Sequence, residues 1–230
     1  KKISQGRGIS AHVPYELIHD GNNFSGLCQA DSDHHPKLLS LYDCLGKISR
    51  EYGFCNLLTV HCPAIVLKDG YKFDKSQALA NGAKFYNKLK HLIIKNNYNL
   101  KITLENTIGS SKSDIIYLGS EIRHFTYLLA QNNFGLTLDT GHKQLCPQMD
   151  LDDFLKIGEV LKIHFHGNKG IKLGNFKDDL HALATRDNLK DYDKYLSYFK
   201  YKKVPIILEI HSWFKDNPKI FKDYTNNLRQ

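Results

Sequence analysis

The sequence lacks the features that would place it in a membrane or among secreted proteins. No stretch of its 230 residues is apolar over the length that a membrane span requires, and residues 1–10 lack the apolar core of a secretory signal. No Pro/Ser-rich linker or low-complexity tract interrupts the chain. Because 41% of the residues are hydrophobic, the chain can bury one substantial core, and we expect a single cytoplasmic domain over residues 1–230.

Several motifs of common enzyme classes are also absent. The chain has no GxGxxG, no GxxxxGK[ST] and no GxSxG sequence, which argues against dinucleotide, P-loop and serine-hydrolase chemistry. Its five cysteines form no CxxC pair and are odd in number. This pattern favours reduced thiols over a disulfide framework or a zinc ribbon.

The chain is basic, with a formal net charge of +8 and an isoelectric point of about 9.1. Such a charge is compatible with a polyanionic partner or a phosphorylated substrate. The lysines are nevertheless spread along the chain, and solvated helix faces commonly have that composition. The charge alone therefore does not decide the function.

Six short apolar runs each end in residue types that bind metal ions. The runs end at His12, His61, Glu105, Asp139, His164 and Glu209. Helix-like segments separate most of the runs, which is typical of βα units that form a parallel sheet. In a closed parallel barrel the catalytic groups lie at the carboxyl ends of the strands, so this pattern predicts an α/β fold of the TIM type with a metal site at its mouth.

The predicted elements fall short of a closed barrel. The spacing of apolar residues predicts helices over residues 34–52, 76–95, 113–133, 151–157 and 191–199, with shorter ones at 14–18 and from residue 217. Ser76 is the predicted cap of the second long helix. Six strands are apparent where a closed barrel of this type has eight, so we expect the first two βα units to be missing, either because the chain is a fragment or because they have been lost.

Nine residues are predicted to be metal ligands, because zinc and related ions bind imidazole and carboxylate groups. They are His12, His61, Glu105, Asp139, His142, His164, Asp179, His181 and Glu209. Glu105 and Glu209 each follow buried-type apolar runs, and a buried carboxylate is costly unless a cation neutralises it. The alternatives are a packing role for His12, a helix cap for Asp139 and a solvated loop around Asp179.

The segments TLENT, LTLDTGH, KIHFHGN, DDLHAL and LEI resemble the xylose isomerase-like barrel superfamily. This superfamily includes endonuclease IV-type apurinic/apyrimidinic endonucleases and many sugar isomerases and epimerases. The similarity extends from His12 to Glu209 and is strongest between Glu105 and His142. The chain departs from the endonuclease pattern after His164, where His166-Gly167-Asn168 replaces an Asn-Asp pair.

The resemblance implies up to three zinc ions. Glu105 would bridge two of them, with His12 and His61 completing the first site. Asp139, His164 and Glu209 would complete the second site, and His142, Asp179 and His181 would form the third. Outside this set, we expect His166 to face the helices or the flank of the barrel, Asn106 to orient Glu105 or a loop, and His211 to contact the substrate.

Two reactions are consistent with these residues. The first is metal-dependent cleavage of abasic DNA, in which a hydroxide held between zinc ions attacks the phosphate. The second is a sugar or sugar-phosphate isomerase or epimerase with one divalent ion, zinc, manganese or magnesium, in which Glu105 or Glu209 moves a proton. A third class, a degenerate barrel that binds a partner without catalysis, predicts scrambled ligands, whereas all nine are present.

Overall fold

The computed structural model describes residues 10–12, 32–52, 57–66, 74–108, 115–119, 121–132, 134–146, 150–168, 181–210, 219, 222–224 and 226. The helix predicted at residues 14–18, together with Asp179 and His211, lies outside these ranges, as does the side chain of His12. Within the described part of the chain, no helix is long and apolar enough to cross a membrane.

Among the described residues, the main sheet has six strands, all parallel, which is the number and orientation that the sequence predicts. These strands are β1 (Ser10–His12), β2 (Leu57–His61), β4 (Lys101–Glu105), β6 (Gly135–Asp139), β7 (Val160–His164) and β8 (Ile206–Ile207), and they lie side by side in that order. A separate antiparallel ribbon pairs β3 (Ala64–Val66) with β5 (Ile115–Tyr117). The helices are α1 (His35–Tyr52), α2 (Lys75–Lys95), α3 (Ile122–Asn132), α4 (Thr140–Leu145), α5 (Leu151–Lys156) and α6 (Tyr192–Lys202).

Two features of the helices differ from the predictions. Residues 115–117, predicted to lie in a helix, form β5, and α3 begins only at Ile122. The run Ile115–Tyr117 consists of β-branched and aromatic residues, and it pairs with another apolar run that a local pattern does not reveal. Helix α2 is capped by Asp74 rather than Ser76, because the Asp74 carboxylate accepts hydrogen bonds from the backbone N–H groups of Ser76 and Gln77.

Contacts among three threonine side chains show that the sheet is curled. Strand β4 lies between β2 and β6, so in a flat sheet β2 and β6 would be roughly 9.5 Å apart. The hydroxyl oxygens of Thr59 on β2 and Thr137 on β6 are nevertheless 3.0 Å apart, and that of Thr103 on β4 is 3.2 Å from Thr59 and 2.6 Å from Thr137. These side chains converge on a concave face, as inward-facing residues do in a parallel barrel.

The apolar core lies on the opposite, convex face of the sheet. Alternate residues of the strands, such as Leu58, Leu104, Leu138 and Ile163, are fully buried there. They belong to one cluster with large side chains of the helices, including Tyr42, Phe85, Phe125, Phe154 and Tyr195. The strand period therefore gives each strand two functions: one face packs on the helices and the other lines the interior.

Candidate metal centre

At the carboxyl ends of the strands, the inward-facing residues become histidines and carboxylates. Next to the threonines is Lys162 on β7, which pairs in register with Thr137 and is fully buried. Two positions further along each strand, the inward-facing residues are His61, Glu105, Asp139 and His164. A threonine layer thus supports a layer of metal-binding residue types, at the edge of the sheet where parallel barrels place their active sites.

Four of these site residues form a compact donor group. One ligand atom each from Glu105, Asp139, His164 and Glu209 lies within 4.8 Å of the others. Ligands bound to one zinc ion at about 2.0–2.2 Å are at most about 4.4 Å apart, so a small contraction would let all four reach one ion. We call these four residues the first donor group.

His164 is the centre of the first donor group. Its Nδ1 lies 2.9 Å from Glu209 Oε2, 3.2 Å from Glu105 Oε1 and 3.9 Å from Asp139 Oδ2. Burial opposes protonation of the ring, but the charge of Glu105 and the hydrogen bonds to Glu105 and Glu209 outweigh it and raise the pKa of His164 to about 10. The carboxylates thus create a place where a cation is strongly stabilised.

Glu209 responds to the same contacts. Burial acts to raise the pKa of its carboxyl group, but the short contact with His164 and the charges of His164 and His142 together lower that pKa to about 2. The Glu209 Oε2 atom is buried 2.9 Å from the His164 Nδ1, and this contact is a charge interaction rather than a well-aligned hydrogen bond. A buried, charged acceptor in that state fits a site that holds a metal ion.

Asn106 fixes the position of Asp139. Its side chain accepts a hydrogen bond from the Asp139 backbone N–H at 2.8 Å and donates one to the Asp139 carbonyl at 2.9 Å. The sequence predicts that Asn106 positions Glu105 or a loop. In the structure its side chain instead holds the backbone at the end of β6. Asp139 also caps α4, because its Oδ1 accepts the backbone N–H of His142 at 2.7 Å. Asp139 is therefore both the cap of α4 and a member of the first donor group.

His61 lies at the edge of the first donor group. Its Nε2 is 3.4 Å from Glu105 Oε2, and its side chain is 23% exposed, which makes it the more accessible partner of the buried Glu105. The Tyr86 hydroxyl donates to the His61 backbone carbonyl, which anchors the end of β2 to helix α2. Glu105 thus presents one carboxylate oxygen to His61 and the other to His164, an arrangement suited to bridging two ions.

Three histidines form a second donor group beside the first. Ligand atoms of His142, His166 and His181 lie within 4.8 Å of one another. The His142 Nδ1 is 3.0 Å from the Asn106 carbonyl and the His181 Nδ1 is 3.0 Å from the Glu209 carbonyl. A carbonyl accepts but does not donate, so both rings have the proton on Nδ1 and the lone pair on Nε2, the tautomer that a metal ligand requires.

The prediction that His166 faces the helices is wrong. The residue is fully buried, and its Nε2 lies 2.9 Å and 3.1 Å from the two carboxylate oxygens of Asp139. Residues separated by two positions in an extended segment point to the same side, so His166 shares the inward direction of His164. The period of the strand was the signal that would have found this residue.

The structure brings together all the predicted ligands whose side chains it describes. These are His61, Glu105, Asp139, His142, His164, His181 and Glu209, linked by the contacts given above. The set contains imidazoles and carboxylates, which suit zinc and, for the carboxylates, manganese or magnesium. The donor set therefore fits one or more divalent ions.

Comparison with known proteins supports the fold. No protein-family model matches the sequence, and no curated protein matches it significantly. A D-tagatose 3-epimerase-like protein superposes with a TM-score of 0.70 and 18% identity, over 98% of this chain and 79% of that one. An IolI protein with a zinc atom superposes with a TM-score of 0.61 and 15% identity, over 86% of this chain and 71% of that one.

An endonuclease IV from Thermus thermophilus also matches. Its TM-score is 0.46 at 16% identity, over 75% of this chain and 62% of that one. The order of strands and the curl of the sheet agree with the likeness to the first two proteins. The chain therefore shares the fold of the D-tagatose 3-epimerase-like protein and the IolI protein.

Proposed function

We propose that the chain is a metal-dependent enzyme that hydrolyses a phosphodiester bond, with abasic DNA as its substrate and zinc as its metal. The observation that supports this proposal most is the contact between the two donor groups through Asp139, which touches both His164 and His166. The first donor group already supplies four ligands, a full set for one tetrahedral zinc ion. The further imidazoles of His61, His142 and His181 are more than one ion needs.

The charge of the first donor group also supports the proposal. Glu105, Asp139 and Glu209, when ionised, place three negative charges in the first donor group. One divalent ion would leave this region negative, and a negative region repels a phosphodiester. Two or three ions would make it positive, so a DNA substrate requires occupancy of more than one position. A neutral sugar has no such requirement.

The residues would divide the work as follows. Zinc, when bound, would lower the pKa of a water and neutralise charge on the phosphate. Glu105, with one oxygen toward His61 and one toward His164, would keep two cationic positions close together. Glu209, whose carboxyl group is held in its charged form beside His164, would be a ligand of the ion in the first donor group. Asp139 would stay fixed, because Asn106 holds its backbone.

A second candidate function is a sugar or sugar-phosphate isomerase or epimerase with one divalent ion. The observation that favours it is the position of Glu105 and Glu209 on either side of the His164 Nδ1, at 3.2 and 2.9 Å. Two carboxylates next to a single ion position could remove a proton from a ketose and return it to a neighbouring carbon. This reaction requires the first donor group alone.

Incision of a duplex with one abasic site by the zinc-loaded protein tests the first proposal. His181→Ala should reduce the incision rate strongly, because it removes a ligand that only the multi-ion reaction needs. His91→Ala, which changes an exposed histidine of α2, is the matched control and should leave the rate unchanged. An absence of incision at every metal loading, together with epimerisation of a ketose that His181→Ala does not slow, would assign the isomerase class instead.

A further inference from the structure

We infer that His166 is a positioning residue that fixes the Asp139 carboxylate and the His181 ring at the same time. It would thus set the geometry of both donor groups. The inference rests on the proposed metal site, but not on which of the two reactions occurs there. Three independent contacts of the fully buried His166 support it.

The first contact orients Asp139. The His166 Nε2 lies 2.9 Å from Asp139 Oδ1, which also accepts the His142 backbone N–H at 2.7 Å. An ionised carboxylate only accepts hydrogen bonds, so Nε2 is the donor in this contact. The same Nε2 lies 3.1 Å from Asp139 Oδ2, the oxygen that faces His164 at 3.9 Å from its Nδ1.

The second contact supports His181. The two imidazole rings are stacked, with centroids 4.1 Å apart and planes inclined by 6°. A ring nitrogen binds a metal in the plane of its ring, so an ion in the plane of the His181 ring would lie well outside that of the parallel His166 ring. His181 itself has a backbone φ of 44°, in the left-handed region that few residues adopt without support. The stack provides such support.

The third contact explains the sequence of the Asp-Thr-Gly-His segment. The Thr140 hydroxyl donates to the His166 carbonyl at 2.7 Å and accepts its backbone N–H at 3.1 Å. A Cβ on Gly141 would lie 2.0 Å from Cε1 of His166, so only glycine leaves space for the ring. Asp139 bonds to the ring, Thr140 to the backbone, and Gly141 provides the space. All three residues preceding His142 therefore hold His166.

Two substitutions separate the functions of the ring. His166→Gln retains a donor near the position of Nε2 but removes the face on which His181 stacks. His166→Phe retains the face but removes the donor to Asp139. Residues that orient metal ligands typically affect metal affinity by about 10–100-fold. We expect His166→Phe to weaken zinc binding at the first donor group, and His166→Gln to release the zinc bound near His142 and His181, each by at least about 10-fold.

The measurements are zinc per chain after dialysis against a graded chelator, and the visible spectrum of the cobalt-substituted protein, which reports ligand geometry independently of activity. His91→Phe, at an exposed position of α2, is the matched control. Circular dichroism of the metal-free variants checks that they fold.

A third variant keeps the test decisive if substitutions of His166 do not fold. Gly141→Ala leaves every proposed ligand in place but displaces the His166 ring, and it should weaken zinc binding and alter the cobalt spectrum. Gly158→Ala is its control, because a Cβ there comes within 3.3 Å of Leu136, a contact that a shift of a few tenths of an ångström in the Leu136 side chain relieves. If the wild type binds zinc and the folded variants bind it with the same affinity and cobalt spectrum, the inference about His166 is overturned while the proposed function stands. If the wild type binds no divalent ion, the proposed function is wrong, and the inference fails with it.

Discussion

Glu105 and His164 are in contact although their strands are not neighbours. The Glu105 Oε1 is 3.2 Å from the His164 Nδ1, whereas β6 lies between β4 and β7. The curl of the sheet brings the inward-facing ends of alternate strands together, as it does for Thr59 and Thr137 one layer below. The fold brings the two groups into contact, and a carboxylate beside an imidazole is a pair of groups that can bind a cation.

Glu105→Gln should remove at least one zinc ion per chain and lower turnover by about 100-fold or more, since the loss of a ligand exceeds the effect of losing a residue that supports one. The neutral amide offers weaker coordination and no longer offsets the repulsion between two cations. Elemental analysis and initial rates measure the two effects. Glu159→Gln, at an exposed position, should change neither, and full zinc content in Glu105→Gln would exclude the bridging role.

Thr103→Val should destabilise the protein by about 1–3 kcal/mol, because the change removes a hydroxyl bonded to both Thr59 and Thr137 in a fully buried layer. Urea unfolding of the metal-free protein measures the free energy of unfolding. Ser197→Ala, which removes an exposed hydroxyl of α6, should change it by no more than about 0.5 kcal/mol. Equal stability of Thr103→Val and the wild type would show that the threonine layer adds little.

The loss of the Asp43 charge should destabilise the protein at neutral pH but not in acid. Hydrogen bonds from Lys47 and Tyr98 lower the pKa of Asp43 below its ordinary value. A carboxyl group whose pKa is lower in the folded state stabilises that state above its unfolded pKa, and this contribution is lost as the pH falls through the folded pKa. Asp43→Asn should therefore unfold at a lower urea concentration than the wild type at pH 7. The two midpoints should begin to converge below about pH 4 and should meet once the pH is below the folded pKa of Asp43.

The control for Asp43 is Asp187→Asn, at an exposed position in the turn before α6. Its unfolding midpoint should follow that of the wild type across the same pH range. A difference between Asp43→Asn and the wild type that stays constant with pH would assign the effect to packing of the segment after α2, where Asn96 also donates to Asp43, rather than to charge.

The sequence predicts the strands and their polar ends best where period and polarity coincide. The run LLTVH predicts β2 and its terminal His61, because an apolar strand must end where a polar residue enters the site. The ribbon of β3 and β5 was missed, since its two runs stabilise each other although they are distant in the chain. The prediction for His166 was wrong, although its position two residues after His164 indicated that it faces inward. The stack on His181 depends on a contact between separate segments, which local sequence does not reveal.

Anomalous X-ray diffraction at the zinc edge, from crystals of the wild-type protein grown with zinc, tests the central claim most directly. We expect a peak about 2.0–2.2 Å from ligand atoms of Glu105, Asp139, His164 and Glu209, and another beside His142 and His181. A map with no peak at the first donor group, or with zinc bound only at surface residues away from it, would contradict the account.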